Sequence, residues 1–119
     1  MADILETGDR DDGGEMASSG EYLEYALDLL GGVDGIECRK MMGEYVLYCR
    51  GKVIGGIYDD RFLIKPTASA RRMLPDARME LPYEGAKEML LVDTEDRRRV
   101  AEVVEAMWAE LPEPGRKTP

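Results

Sequence analysis

The stretch from Arg39 to Pro66, RKMMGEYVLYCRGKVIGGIYDDRFLIKP, constrains the fold more than any other part of the chain. Turn signals fall at Gly43, Arg50-Gly51 and Asp59-Asp60. The segments between them are too short for helices and rich in β-branched and aromatic residues, so they read as strands joined by tight turns. Residues 36–41 (IECRKM) form a short strand. From Glu44 to Arg50 the pattern alternates, with Tyr45, Leu47 and Cys49 on one face and Val46 and Tyr48 on the other. Arg50-Gly51-Lys52 is a hairpin turn. Residues 53–58 (VIGGIY) make a third strand, whose adjacent Gly55 and Gly56 predict a bulge or a close approach by another element. Asp59-Asp60-Arg61 turns the chain again. Phe62 to Lys65 is a fourth strand, ended by Pro66, which has no amide proton for a ladder.

Helical patterns flank this core. Ser18 with Glu21 reads as a capping box, followed by Leu23, Ala26, Leu27 and Leu30 at helical spacing and a stop at Gly31-Gly32. A first helix is therefore expected over about residues 19–30. Thr67 can cap a short second helix with Ala70, Met73 and Leu74 on its apolar side. Residues 76–87 read as a loop punctuated by Pro82 and Gly85. Residues 88–92 (EMLLV) form a last strand, apolar enough to lie inside a sheet. Asp93 or Thr94 is the expected cap of a final helix with a stripe of Val100, Val103, Val104, Met107 and Leu111 and Trp108 on its flank. The order α-β-β-β-β-α-β-α is an α+β fold: a single antiparallel sheet of about five strands with helices packed on one face. The expected domain spans residues 18–111, between a disordered acidic tail over 1–17 and a flexible tail over 112–119.

A chain of 119 residues, 44% hydrophobic, can bury a core without disulfides. It has no histidine and two cysteines. Cys38 and Cys49 are expected to be buried free thiols on neighbouring strands. No long apolar run exists, so no membrane span is expected, and the acidic N-terminus is no secretory signal. A reduced, cytoplasmic compartment is the default. The net charge of −9 disfavours nucleic acid as a partner, because phosphate neutralisation needs clustered Lys and Arg. The charge is uneven: residues 1–17 carry −5, residues 35–72 carry +4, and residues 73–119 carry −4.

No set for nucleophilic catalysis, no phosphate loop and no zinc-type cluster is present, so no enzyme activity, cofactor or metal is expected. Asp59-Asp60 reads as a polar turn or a hard-cation ligand pair. Arg97, Arg98 and Arg99 read as a solvated face paired with Glu95, Asp96 and Glu102, or as an anion contact. The basic and aromatic residues of the middle mark the candidate interaction face: Arg39, Lys40, Glu44, Tyr45, Arg50, Lys52, Arg61 and Lys65. Such a face suits a protein partner first, single-stranded nucleic acid second. A third reading places Glu44, Tyr45 and Lys65 in a ligand or catalytic cleft. An exposed sheet edge would also allow a homodimer.

The run Arg39-Lys40-Met41-Met42-Gly43-Glu44-Tyr45 resembles the signature of the TfoX (Sxy) N-terminal domain family. The resemblance continues through Gly51-Lys52-Val53, Asp59-Asp60, Leu63-Ile64-Lys65-Pro66-Thr67, Leu74-Pro75, Pro82 to Lys87 and Leu91-Val92-Asp93. Met42 stands where Phe is common. The resemblance implies an α+β fold and kinship with bacterial regulators of natural competence, which look like transcriptional co-activators working with the cyclic-AMP receptor protein. It thus implies a transcription-factor-like protein partner. Full-length members carry a C-terminal helical domain, for which these 119 residues have no room, so a single-domain member is expected.

Overall fold

The computed structural model describes residues 19–112. The tail expected over 1–17, the Ser18 cap and all but the first residue of the tail expected over 112–119 lie outside those residues. The elements run α1 (Gly20–Leu29), β1 (Ile36–Met41), β2 (Glu44–Cys49), β3 (Lys52–Ile57), β4 (Phe62–Ile64), α2 (Ala68–Met73), β5 (Met79–Glu80), β6 (Met89–Leu91) and α3 (Arg97–Trp108). All strands join one antiparallel sheet in the order β1-β2-β3-β4-β6-β5. The expected α+β architecture holds, with one strand more than the five expected. The addition is β5, two residues inside the expected 76–87 loop, paired through Met79↔Leu90 and Glu80↔Met89. Two residues carry too little periodicity to be read from sequence. The last strand, β6, lies inside the sheet as its apolar run predicts.

Three successive turns build the meander. Met42-Gly43, Arg50-Gly51 and Asp59-Asp60 all have positive φ at both central residues, the mark of type I′ hairpin turns whose twist matches the strands they join. Tyr58 and Arg61 close the third turn with reciprocal backbone bonds of 2.9 and 3.0 Å. The two glycines of β3 have distinct reasons. The register shifts between Leu47 and Tyr48, leaving Ile54 as the extra residue of a bulge. A Cβ on Gly55 would lie 2.7 Å from the Ile64 Cα, and one on Gly56 2.7 Å from the Tyr58 ring, so both are sites of close approach.

The core lies on one face of the sheet. Leu47, Cys49, Ile54, Ile57, Phe62, Ile64 and Leu90 pack there against Ala26, Leu29 and Leu30 of α1, Ala70 of α2, and the expected stripe Val100, Val103, Val104 and Met107 of α3, with Leu111 beyond it. Each fully buried aliphatic side chain stabilises the fold by roughly 1.5–3 kcal/mol. The caps differ from expectation. Ser19 caps α1, its hydroxyl accepting from the Tyr22 amide at 3.1 Å. Asp96 caps α3, accepting from the Arg98 and Arg99 amides, while Thr94 accepts from the Asp96 amide. Thr67 caps α2 as predicted. Gly31 and Gly32 follow α1 without a left-handed φ, and a Val33-to-Leu30 turn closes the helix.

Cys49 is buried, but Cys38 is exposed, contrary to the expectation of two buried thiols; both are free. The reason is the edge position of β1, where every residue from Glu37 to Met41 is exposed.

Candidate functional site

The sheet has an inner face under the helices and an outer face that no helix among the described residues covers. Strand register assigns each side chain to one or the other. Outward from β1 to β3 project Glu37 and Arg39, then Val46 and Tyr48, then Val53 and Gly56. Leu63 and Leu91 continue the row. The Arg39 guanidinium lies 5.3 Å from the Tyr48 ring centroid. Tyr58 folds back over Gly56 and meets Tyr83 with ring centroids 6.1 Å apart. Burial first, then Tyr83, Glu44 and Tyr48, raises the Tyr58 phenol above its ordinary value, so it stays neutral. Met41 and Tyr83 are largely exposed at the rim, and Met42 is fully exposed at the tip of the first hairpin.

The eight residues singled out from sequence do not gather on this face. Arg39, Glu44 and Arg61 lie on it, and Lys65 joins them by alternation from the buried Ile64. Lys40 and Tyr45 sit opposite one another on the inner side, Lys40 exposed beyond the helices and Tyr45 packed on the core. Arg50 occupies the second hairpin turn. Its guanidinium spans Glu105 at 2.7 Å and the Asp34 carbonyl at 2.8 Å, 4.9 Å from the Trp108 ring centroid.

Lys52 is the sharpest departure from the expected exposed face. It is only 4% exposed. Its ammonium lies 3.8 Å from the Trp108 ring centroid and donates to the Trp108 carbonyl at 2.9 Å. The Trp108 indole in turn donates to the Cys49 carbonyl at 2.7 Å. Arg50 and Lys52 are thus the socket for the end of α3. Arg61 ties the meander to the loop after β5, donating to Glu80 at 2.9 Å and to the carbonyls of Tyr58, Leu81 and Pro82. Sequence reasoning missed the partners that hold these cations, Glu105, Trp108 and Glu80, because all lie far along the chain.

Other candidates resolve into local structure. The Asp59 amide donates to Glu44 at 3.2 Å, and Asp60 accepts from the Ser19 amide at 2.8 Å, anchoring the start of α1. Arg97 bonds Asp28 of α1 at 3.2 Å, and Arg99 reaches the Met73 carbonyl at 3.1 Å. Glu44, Tyr45 and Lys65 do not converge: neighbours in sequence, the first two face opposite sides, and Lys65 pairs at Ile54, three residues before the Ile57 that faces Tyr45. A cavity under the sheet, between Phe62, Ile64, Leu74, Val92 and α3, has only about 10 Å³ and includes none of them. Among the described residues no group of three or more carboxylates or thiols could hold a metal ion. No helix of the described residues is long and apolar enough to cross a membrane.

Comparison with known proteins agrees with the motif pattern. An uncharacterized 12.7 kDa protein in the trpE 5′ region of Spirochaeta aurantia is 33% identical over 101 residues, covering 83% of this chain and 88% of that protein. No solved structure matches the chain. Residues 28–112 match the family model of the TfoX N-terminal domain, spanning the whole sheet, α2 and α3 but only the last two residues of α1. With most of its length matched, the chain belongs to the TfoX N-terminal domain family.

Proposed function

We propose that the chain is a non-enzymatic protein-interaction module of bacterial regulation, acting through the helix-free outer face of its sheet on a transcription-factor-like protein. Membership of the TfoX N-terminal domain family supports a competence-related regulatory role at the level of the family. The observation that carries the reading is the makeup of the outer face. Arg39 over Tyr48, the Tyr58–Tyr83 pair and exposed Met41 are the residue types that dominate protein interfaces, set on a rigid sheet. Nucleic acid fits this face less well. Glu37, Glu44 and Glu80 lie among its basic residues, and Arg50, Lys52 and Arg61 are held by internal partners.

The test is affinity capture by the full chain from nuclease-treated lysate of the source organism, read by mass spectrometry. Stoichiometric recovery of a transcription factor or polymerase subunit is expected, with a several-fold loss on Tyr83→Ala, a substitution at a 62% exposed ring outside the core. Capture unchanged by Tyr83→Ala would remove the outer face from the account. Partners recovered only when nuclease is omitted would transfer it to nucleic acid.

A further inference from the structure

The two edges of the sheet are unlike. The β5 edge is two residues long, and Arg61 ties its Glu80 and the loop beyond. The β1 edge is six residues long, and five of them are exposed. The Arg50 amide donates to the Gly35 carbonyl at 2.8 Å, and Met41↔Glu44 closes the hairpin. In an antiparallel ladder, bonded pairs alternate. Residues 35, 37, 39 and 41 therefore bond to β2, and Ile36, Cys38 and Lys40 turn their backbone N–H and C=O groups out to the sheet edge, where no strand of the described residues pairs with them.

We infer that this edge pairs with the same edge of a second copy, antiparallel about a two-fold axis through Cys38. In that register Ile36 faces the partner's Lys40, and Glu37 faces the partner's Arg39. The two Glu37–Arg39 pairs occupy non-bonded positions, where side chains approach most closely. Both are on the outer face, so each salt bridge forms on one surface of a continuous double sheet. Neighbouring registers with the same bonding parity are disfavoured. A two-fold at Glu37 sets that carboxylate against its own copy, and a two-fold at Arg39 does the same for the guanidinium. The edge is thus self-complementary in charge in one register only, which is the requirement for an isologous contact. The two Cys38 residues would form a bonded pair with Cα atoms about 5.5 Å apart, within disulfide reach.

The proposal does not rest on the outer-face reading, and its test reads self-association alone. Sedimentation equilibrium of the full chain under reducing conditions is expected to show a monomer–dimer equilibrium. Glu37→Arg and Arg39→Glu, each placing like charges opposite one another, should each weaken it at least about tenfold, and the double variant, which swaps the charges, should restore it. Diamide, which takes up the two thiol hydrogens as the disulfide forms, should trap a dimer reducible by dithiothreitol and abolished by Cys38→Ser. A chain monomeric throughout, or a dimer indifferent to both charge reversals, would overturn the proposal. So would a double variant no better than the singles.

Discussion

Lys52 shows how much of a residue's role lies outside its own neighbourhood. Alternation from the hairpin turn sets it opposite Cys49 on the inner face. Nothing near it in sequence supplies a partner for a buried ammonium, so a strand-and-turn reading leaves it in solvent. The partner comes from the far end of the chain, where the ring and carbonyl of Trp108 receive it. Replacing Lys52 with Met keeps the apolar stem but deletes the charge, leaving that carbonyl without its donor. Urea unfolding should show Lys52→Met destabilised by about 1–2 kcal/mol. Met42 is the opposite case, since its role is legible locally. Gly43 beside it announces a tight turn, and the turn forces Met42 to φ +52 with its side chain fully exposed. A non-glycine side chain is strained there. Met42→Asn, which creates the preferred Asn-Gly pair, should raise stability by about 0.5–1 kcal/mol in the same measurement.

Among the elements, strands and helices were legible wherever period and punctuation agreed. The meander, the α3 stripe and the Thr67 cap all follow from local pattern. The α3 cap did not, because Asp93, Thr94 and Asp96 are all competent caps within four residues and local pattern does not rank them. The joint between α2 and α3 was also invisible. Glu110, just beyond α3, accepts from both the amide and the hydroxyl of Ser69 in the first turn of α2. Those bonds, the Ser69 hydroxyl foremost, hold its carboxyl below the ordinary 4.5. A carboxylate favoured in the folded state contributes stability in full above the unfolded value and loses it as pH falls through the depressed folded value. The unfolding midpoint of the native chain should therefore fall as acid reaches that range. Glu110→Gln should be less stable at neutral pH and show a shallower fall, as a urea titration across the acidic range would reveal.

For the molecule as a whole, fold class and family were written in short-range order, since each hairpin signals itself. The distribution of the basic residues was not. A local charge of +4 over residues 35–72 suggested one electropositive face, yet the sheet sends its cations to both faces and both ends. Arg50 and Lys52 receive α3, and Arg61 holds the loop after β5. What remains outside is a mixed-charge surface with aromatic rings. If this face binds a protein, as proposed, recognition there rests on shape and pairing more than on net field, and binding should be less sensitive to salt than phosphate binding.

Trp108 is the only tryptophan of the chain. A cation sits against its ring and its indole N–H is bound to Cys49, so its emission carries the imprint of that socket and of nothing else. The protein thereby holds its own optical probe. A change in intensity or wavelength marks the moment the last helix leaves the second hairpin, without a label, and can be timed separately from the loss of strand structure seen by circular dichroism.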